Sequence, residues 1–146
     1  MRIALASDHG GLRLKHAVIA HLRAQGHEAE DLGPFDDASV DYPDYAKIVA
    51  HKVVSGEFPK GILVCGTGQG MAITANHISG IRAAIVSDTF SARMAAEHND
   101  ANILCLGQRV VGEGLAMECV DAWLNTPFAG GRHARRVEKI ETPHGL

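Results

Sequence analysis

An apolar run that ends on a cysteine and opens directly into glycines constrains the fold of this 146-residue chain more than any other feature. Residues 61–71 read GILVCGTGQGM. This pattern indicates a buried strand that leads through a tight turn into a helix. At a helix start, free backbone N–H groups and the helix dipole favour negative charge, so a thiolate at Cys65 and a nearby oxyanion would both be stabilised. The segment therefore predicts a strand-to-helix junction that can support chemistry.

The rest of the chain alternates short apolar runs with amphipathic stretches of helical period. The runs predict strands over residues 2–7, 29–32, 61–65, 83–87 and 102–106. The amphipathic stretches predict helices over residues 12–22, 43–55, 69–77, 91–99 and 113–124. This rhythm is typical of a parallel sheet covered by helices on both faces. The sequence therefore predicts a doubly wound α/β fold with about five strands.

A basic segment follows the last of these helices. Residues 131–140 have a helical pattern but little apolar surface, so this helix would gain stability mainly by packing on something else. In a short chain a neighbouring subunit is a good candidate, and we expect at least a homodimer with helix 131–140 packed on the partner. The length fits a single domain over residues 1–146.

Charge and cysteine usage argue against several classes of protein. The net charge is −3 and glutamates interrupt the basic tail, so we expect no nucleic-acid partner. No stretch approaches the roughly 20 apolar residues of a membrane span, and the chain starts with a strand rather than a signal peptide, so we expect no membrane partner and a cytoplasmic location. Three cysteines without CxxC spacing favour reduced thiols over a disulfide framework or a zinc site, and we expect neither metal nor cofactor.

Polar residues follow the strands at the ends where open parallel sheets bind ligands. Asp8 and His9 follow the first strand, residues 65–70 follow the third, and Arg109 follows the fifth. Because carboxyl ends of parallel strands share one edge of the sheet, we expect these groups to meet there.

Three familiar motifs can be tested against the glycine loop. A Walker A motif would end in Gly-Lys-Ser/Thr, which the loop lacks. A GxGxxG fingerprint would need a glycine where Met71 stands, and a cysteine-phosphatase loop would need an arginine at that same position. The sequence therefore disfavours nucleotide binding and phosphatase chemistry.

Six motifs stand in order along nearly the whole chain: ASDHGG at 6–11, DYPDY at 41–45, CGTGQG at 65–70, HNDAN at 98–102, GQRVVG at 107–112 and GRHARRV at 131–137. Together they resemble the ribose-5-phosphate isomerase type B family, which includes galactose-6-phosphate isomerase subunits and isomerases of other sugar phosphates. The resemblance implies a Rossmann-like three-layer αβα sandwich and a homodimer or homotetramer with active sites between subunits. It also implies metal-free aldose–ketose isomerisation of a sugar phosphate, with ribose 5-phosphate and ribulose 5-phosphate as the default pair.

The chemistry of such an isomerase can be rebuilt from the residues present. A base must take the C2 proton of the aldose, the resulting enediolate must be stabilised, and a proton must return to C1. We assign the base to Cys65, whose thiolate the loop dipole would favour. Backbone N–H groups from Gly66 through Gly68 to Gly70 would face the enediolate oxygen, because small residues allow close approach.

The resemblance implies how the sugar is opened and held. His98 would act as acid or base in ring opening, with help from the Thr67 hydroxyl. The side chains expected to contact sugar hydroxyls or line the pocket are Asp8, His9, Gln69 and Asn99.

We expect arginines to bind the phosphate group of the sugar. Arg132 and Arg136 are four residues apart, which places them on one helix face, and both would bind the phosphate. Arg109 would add charge from the partner subunit.

Each assignment has a structural alternative. A strand cysteine is usually an inert core residue, which is the interpretation we keep for Cys105 and Cys119. His98 would also fit a helix C-cap, the tail arginines a solvated face, and residues 41–45 a helix cap with a packing aromatic. Among functions, isomerisation of galactose 6-phosphate, allose 6-phosphate or a tetrose phosphate stays open, as do a noncatalytic sugar-phosphate sensor and a cysteine redox protein.

Overall fold

The structure, a computed structural model, describes residues 1–142. Within that range the strands are β1 (Arg2–Ser7), β2 (Glu28–Asp31), β3 (Lys60–Cys65), β4 (Ala83–Ile85) and β5 (Ile103–Gly107). The helices are α1 (Leu12–Ala24), α2 (Tyr42–Val54), α3 (Gln69–Ala75), α4 (Thr89–Glu97), α5 (Glu113–Asn125) and α6 (Arg132–Glu141). A 3-10 turn over His9–Gly11 joins β1 to α1. In these residues no helix has the length and apolar character needed to cross a membrane.

All strands are parallel and form one sheet in the order β2-β1-β3-β5-β4. The predicted α/β architecture is therefore confirmed, with β3 at the centre of the sheet. The ends of some helices and strands differ from the predicted ends by a few residues, because side chains bond to the backbone there. For example, α4 begins at Thr89 because the Asp88 side chain accepts a hydrogen bond of 2.7 Å from the Ser91 N–H and so caps the helix.

Two apolar cores lie on opposite faces of the sheet, as side-chain alternation in strands requires. One face packs Ile3, Leu5 and Ile62 against α1, α4 and α5. The other packs Ala4 and Leu63 against α2 and α3, and Cys65 belongs to this second core. The expected three-layer sandwich is confirmed, and the sulfur of Cys65 lies on the α2–α3 side of the sheet.

Because every strand runs the same way, the sheet has a carboxyl edge, where the strands end, and an amino edge, where they begin. Cys65 and Gly107 pair at the ends of β3 and β5, which places both at the carboxyl edge. The α-helices return the chain towards the amino edge. The candidate site residues divide between these two edges.

Candidate active site

The thiol loop, residues 65–70, lies at the carboxyl edge between β3 and α3. Cys65 is only 5% exposed, and the backbone N–H of Gly68 donates a hydrogen bond of 3.1 Å to its Sγ. Gly68 has a φ of +82°, a left-handed conformation that glycine adopts without steric cost. This conformation turns the chain back so that a backbone donor points at the sulfur.

The turn after β1 packs directly against the thiol loop. The Asp8 N–H donates to the carbonyl of Val64 over 3.2 Å, and a Cβ added at Gly10 would lie 3.7 Å from the nitrogen of Gly66. Asp8 Oδ1 and Ser7 Oγ are buried and lack a hydrogen-bond partner within the described residues. Unpartnered buried oxygens are costly in a folded protein, so these two oxygens are candidates to bond a polar ligand at this edge.

Ser7 was not among the residues predicted to bind substrate. Its position as the last residue of an apolar strand was a weak signal, because a serine there is often an ordinary strand end. His9, by contrast, is exposed at the carboxyl edge as predicted, and its Nδ1 accepts a hydrogen bond of 3.2 Å from the Val40 N–H.

Arg109 lies on the loop that follows β5, and it contacts the thiol loop of its own chain. Its N–H donates to the carbonyl of Gly66 over 3.0 Å, and its Cδ would be 3.3 Å from a Cβ at Gly66. The expectation that Arg109 reaches the site from a partner subunit is therefore wrong. The reason is strand register, since Cys65 and Gly107 pair and so bring the two following loops together.

Two further side chains border the thiol loop. Tyr42, the first residue of α2, covers Gly70 closely enough that a Cβ at that glycine would overlap the tyrosine ring. Asp41 precedes it as the N-cap but makes no side-chain capping bond, so the cap interpretation of this motif is incomplete. Thr67 is exposed, and its Oγ1 accepts from the Gln69 N–H over 3.3 Å.

The remaining predicted residues cluster at the amino edge. His98 is the C-cap of α4, as its structural alternative proposed, but its ring also stacks on His133 with centroids 4.2 Å apart and planes 9° apart. Partial burial lowers the pKa of His133 below its ordinary value, and the positive charges of His98, Arg132 and Arg136 lower it further. Arg132 and Arg136 are exposed on α6.

Within one chain, the residues at the amino edge cannot reach those around Cys65 at the carboxyl edge. The carbonyl of Asn102, four residues after His98, accepts a hydrogen bond of 2.9 Å from Gly61, near the start of β3. Gly61 and Cys65 are separated by about 13 Å of extended strand. The structure thus brings Asp8, His9, Thr67 and Arg109 to Cys65, and it places Asn99 and the tail arginines with His98 at the opposite edge.

The other two cysteines are buried in the core, as expected. Burial raises the pKa of the Cys105 thiol, and the neighbouring Cys65 raises it further. Cys65 pairs with Gly107 rather than with Cys105, and diagonal residues on neighbouring strands lie about 7–8 Å apart, which is beyond the usual span of a disulfide. Within residues 1–142 the three cysteines are free, and no group of three His, Cys, Asp or Glu side chains is arranged to hold a metal ion.

A buried thiol with a backbone donor, beside unpartnered oxygens at the carboxyl edge of a parallel sheet, places this protein in the class of α/β proteins with a polar ligand site at that edge. Comparison with known proteins agrees with that class. A family model described as Ribose/Galactose Isomerase matches residues 3–140. Ribose-5-phosphate isomerase B of Escherichia coli is 49% identical over 139 residues, which cover 95% of this chain and 93% of the relative.

Solved structures extend the similarity to three dimensions. Ribose-5-phosphate isomerase B of Clostridium thermocellum superimposes with a TM-score of 0.95 at 52% identity, covering 97% of this chain and 95% of that one. The enzyme of the same name from Mycoplasma genitalium, solved with bound ribulose-5-phosphate, has a TM-score of 0.91 at 44% identity, with 96% and 93% coverage. This chain therefore belongs to the ribose/galactose isomerase family, and the resemblance drawn from its six motifs is confirmed.

Proposed function

We propose that this chain is an aldose–ketose isomerase that interconverts ribose 5-phosphate and ribulose 5-phosphate. The names of its relatives support this choice, as does the ribulose-5-phosphate bound to the Mycoplasma genitalium protein. Within the chain itself, the observation that carries the proposal is the nearly buried sulfur of Cys65 with the Gly68 N–H directed at it.

Cys65 acts as the base that moves a proton between C2 and C1. Only the thiolate can accept a proton, and the Gly68 N–H supplies a hydrogen-bond donor directed at that sulfur. C1 and C2 are adjacent in the cis-enediolate, so a single sulfur can take the proton from one carbon and return it to the other. The hydroxyl proton passes from O2 to O1 of the planar cis-enediolate, so the C2 oxygen becomes the carbonyl and the C1 oxygen becomes the hydroxyl, and no second base is required for the carbon-bound proton.

The enediolate is stabilised by the backbone N–H groups of the thiol loop. Since the Gly68 N–H is directed at the sulfur and that of Gln69 at the Thr67 hydroxyl, we assign this role to the remaining N–H groups, those of Gly66, Thr67 and Gly70. The buried, unpartnered Oδ1 of Asp8 accepts a hydrogen bond from a sugar hydroxyl, and the Arg109 side chain, whose Cδ lies against Gly66, supplies a positive charge near the loop.

Ring opening and phosphate binding use residues of a second copy of the chain. His98 and Asn99 open and hold the sugar, and Arg132 and Arg136 bind the phosphate. These residues lie at the amino edge, too far from Cys65 of their own chain to share its substrate. A homodimer in which each amino edge faces the partner's carboxyl edge completes two equivalent sites, and a homotetramer built from such pairs keeps them.

The exposed basic face of α6 is consistent with this arrangement. No residue of α6 is buried within the chain, and both phosphate-binding arginines point away from their own subunit's core. Charged side chains that face a partner's site would be covered only after assembly. A cytoplasmic location for the assembled enzyme, expected from the sequence, stays a prediction.

The proposal is tested by ketose formation from a panel of aldose phosphates: ribose 5-phosphate, galactose 6-phosphate, allose 6-phosphate and erythrose 4-phosphate. We expect ribose 5-phosphate to have the highest kcat/KM, both with and without a chelator. A higher value for another sugar would move the assignment to that substrate. Binding of the panel without turnover of any member would contradict the enzyme and support a sensor.

A further inference from the structure

Arg82 occupies the turn just before β4, at the amino edge of the sheet, and its guanidinium joins two separate segments. Its side chain is 18% exposed. Nε donates to the carbonyl of Asp100 over 2.9 Å, and Nη2 lies 3.3 Å from Oδ2 of the same residue. Nη1 lies 3.3 Å from Oε1 of Glu141. One planar cation therefore holds a loop on one side and the end of a helix on the other.

The loop that Arg82 holds carries the residues proposed for ring opening. Asp100 follows His98 and Asn99 directly, and its φ of +47° is left-handed, which is unusual for a residue other than glycine. Contacts to both its carbonyl and its carboxylate hold this conformation, so the guanidinium fixes the path of the chain that leads out of His98.

The helix that Arg82 holds carries the residues proposed for phosphate binding. Glu141 is the last residue of α6, and its second carboxylate oxygen accepts the Gly80 N–H over 2.9 Å. At the other end of α6, His133 stacks on His98. The helix is thus attached to its own subunit at both ends, through the same region of the amino edge.

Attachment at the two ends determines which face of α6 lies against its own subunit and which face points away from it. His133, Val137 and Glu141 are four residues apart and partly buried, which makes one stripe that faces the parent subunit. Arg132 and Arg136 lie about 100° round the helix from His133 and Val137, and both are exposed. Because no side chain of α6 is buried, apolar packing contributes little to this orientation.

We propose that Arg82 is a positioning residue of the isomerase. Through Asp100 and Glu141 it sets the placement of the ring-opening histidine relative to the two phosphate-binding arginines. It touches neither substrate nor the reacting atoms. This inference rests on the proposed function, since it uses the roles given there to His98 and to the arginines of α6.

Glu141→Ala is the first test, and Glu138→Ala is its matched control. Glu138 lies on the same helix, is exposed, and forms no side-chain ion pair or hydrogen bond within residues 1–142. We expect Glu141→Ala to raise KM for ribose 5-phosphate about five- to tenfold, since a charge-assisted contact is lost. The inhibition constant of inorganic phosphate should rise by the same factor, and kcat should stay within about twofold because the base is untouched. The control should change none of these values.

Arg82→Lys is the second test, because it retains the charge but cannot bond both segments. Ribulose 5-phosphate has no ring, so deuterium exchange into it reports proton transfer alone. We expect Arg82→Lys to reduce isomerisation of ribose 5-phosphate more than it reduces this exchange. Equal losses in the two assays would make Arg82 merely structural and overturn the inference.

A Glu141→Ala protein with the same KM and phosphate inhibition constant as Glu138→Ala would also overturn it. Direct calorimetry of inorganic phosphate binding separates this failure from failure of the proposed function. If the wild-type protein does not isomerise ribose 5-phosphate, weaker phosphate binding by Glu141→Ala than by Glu138→Ala would still support the positioning of α6. Equal phosphate binding by the two variants would contradict that positioning.

Discussion

Replacement of Gly11 by alanine tests how closely the turn after β1 packs against the end of β3 at the carboxyl edge. Gly11 ends the turn that carries Asp8 and His9, and it lies against the last residues of β3. A Cβ added at Gly11 would be 2.5 Å from the carbonyl oxygen of Val64 and 2.6 Å from its carbonyl carbon. Its φ of −116° is open to any residue, so the cost of this substitution is steric and not conformational.

The size of the effect follows from these distances. Real Cβ atoms essentially never approach closer than 3.0 Å, so the turn or the strand must move by about 0.5 Å to clear 2.5 Å. Both contacting atoms are backbone, which cannot rotate away as a side chain can. Overpacking costs about 1–3 kcal/mol, and the reduced entropy of the unfolded chain returns about 0.4–1 kcal/mol. We expect a net loss of about 1–2 kcal/mol, or a Tm lower by about 2–8 °C.

Activity should fall as well, because the displaced turn carries Asp8 and His9 away from Cys65. A misplacement of 1 Å can cost about a hundredfold, so a shift near half that size should lower kcat/KM about tenfold. Gly114→Ala is the control, since Gly114 lies early in α5 with no atom within 4 Å of an added Cβ. Thermal denaturation and initial rates measured on both variants at equal protein concentration give the comparison. A Gly11→Ala protein that melts at or above the control with unchanged kcat/KM would refute the reasoning.

Three further predictions concern the proposed chemistry. Cys65→Ala should lower isomerisation about a thousandfold while the protein stays folded and binds phosphate normally; exchange of the C2 proton with solvent at the wild-type rate would remove the base assignment. His98→Asn should reduce turnover of cyclic ribose 5-phosphate more than deuterium exchange into open-chain ribulose 5-phosphate, and equal losses would argue against a role in ring opening. The same variant should raise the pKa of His133 in an NMR titration, because the positive charge of His98 lowers it in the native protein, and an unchanged pKa would contradict that coupling.

The parallel sheet was predictable from the sequence because each strand and helix has its own periodic signature. The thiol loop is the strongest example, since an apolar run, a cysteine and spaced glycines indicate a strand, a buried sulfur and a left-handed turn within a few residues. Such local patterns need no knowledge of the rest of the chain. Element ends were less predictable, because Asp88 and Asn76 use their side chains to cap α4 and to bond Ala83 at the start of β4.

The division of the site between two edges could not be derived from local patterns. Whether Arg109 or His98 reaches Cys65 depends on which strands are neighbours and in what register they pair. β5 is inserted between β3 and β4, so Arg109 lies on the thiol loop of its own chain. His98 precedes the same strand, and this places it at the opposite edge. The contacts of Arg82 were equally unpredictable from local patterns, since Asp100 and Glu141 are distant from it in sequence.

The central claim is that Cys65 of one copy works with His98, Arg132 and Arg136 of another. Mixed dimers test it most directly: one subunit carries Cys65→Ala, the other carries Arg132→Ala with Arg136→Ala, and two affinity tags select the heterodimer. If the site is shared between copies, one of the two sites in each mixed dimer is fully wild type, and activity should return to about half that of the wild-type dimer. If Cys65 uses the arginines of its own chain, every site in the mixed dimer has a defect. Activity no higher than that of the two parent variants would contradict the account.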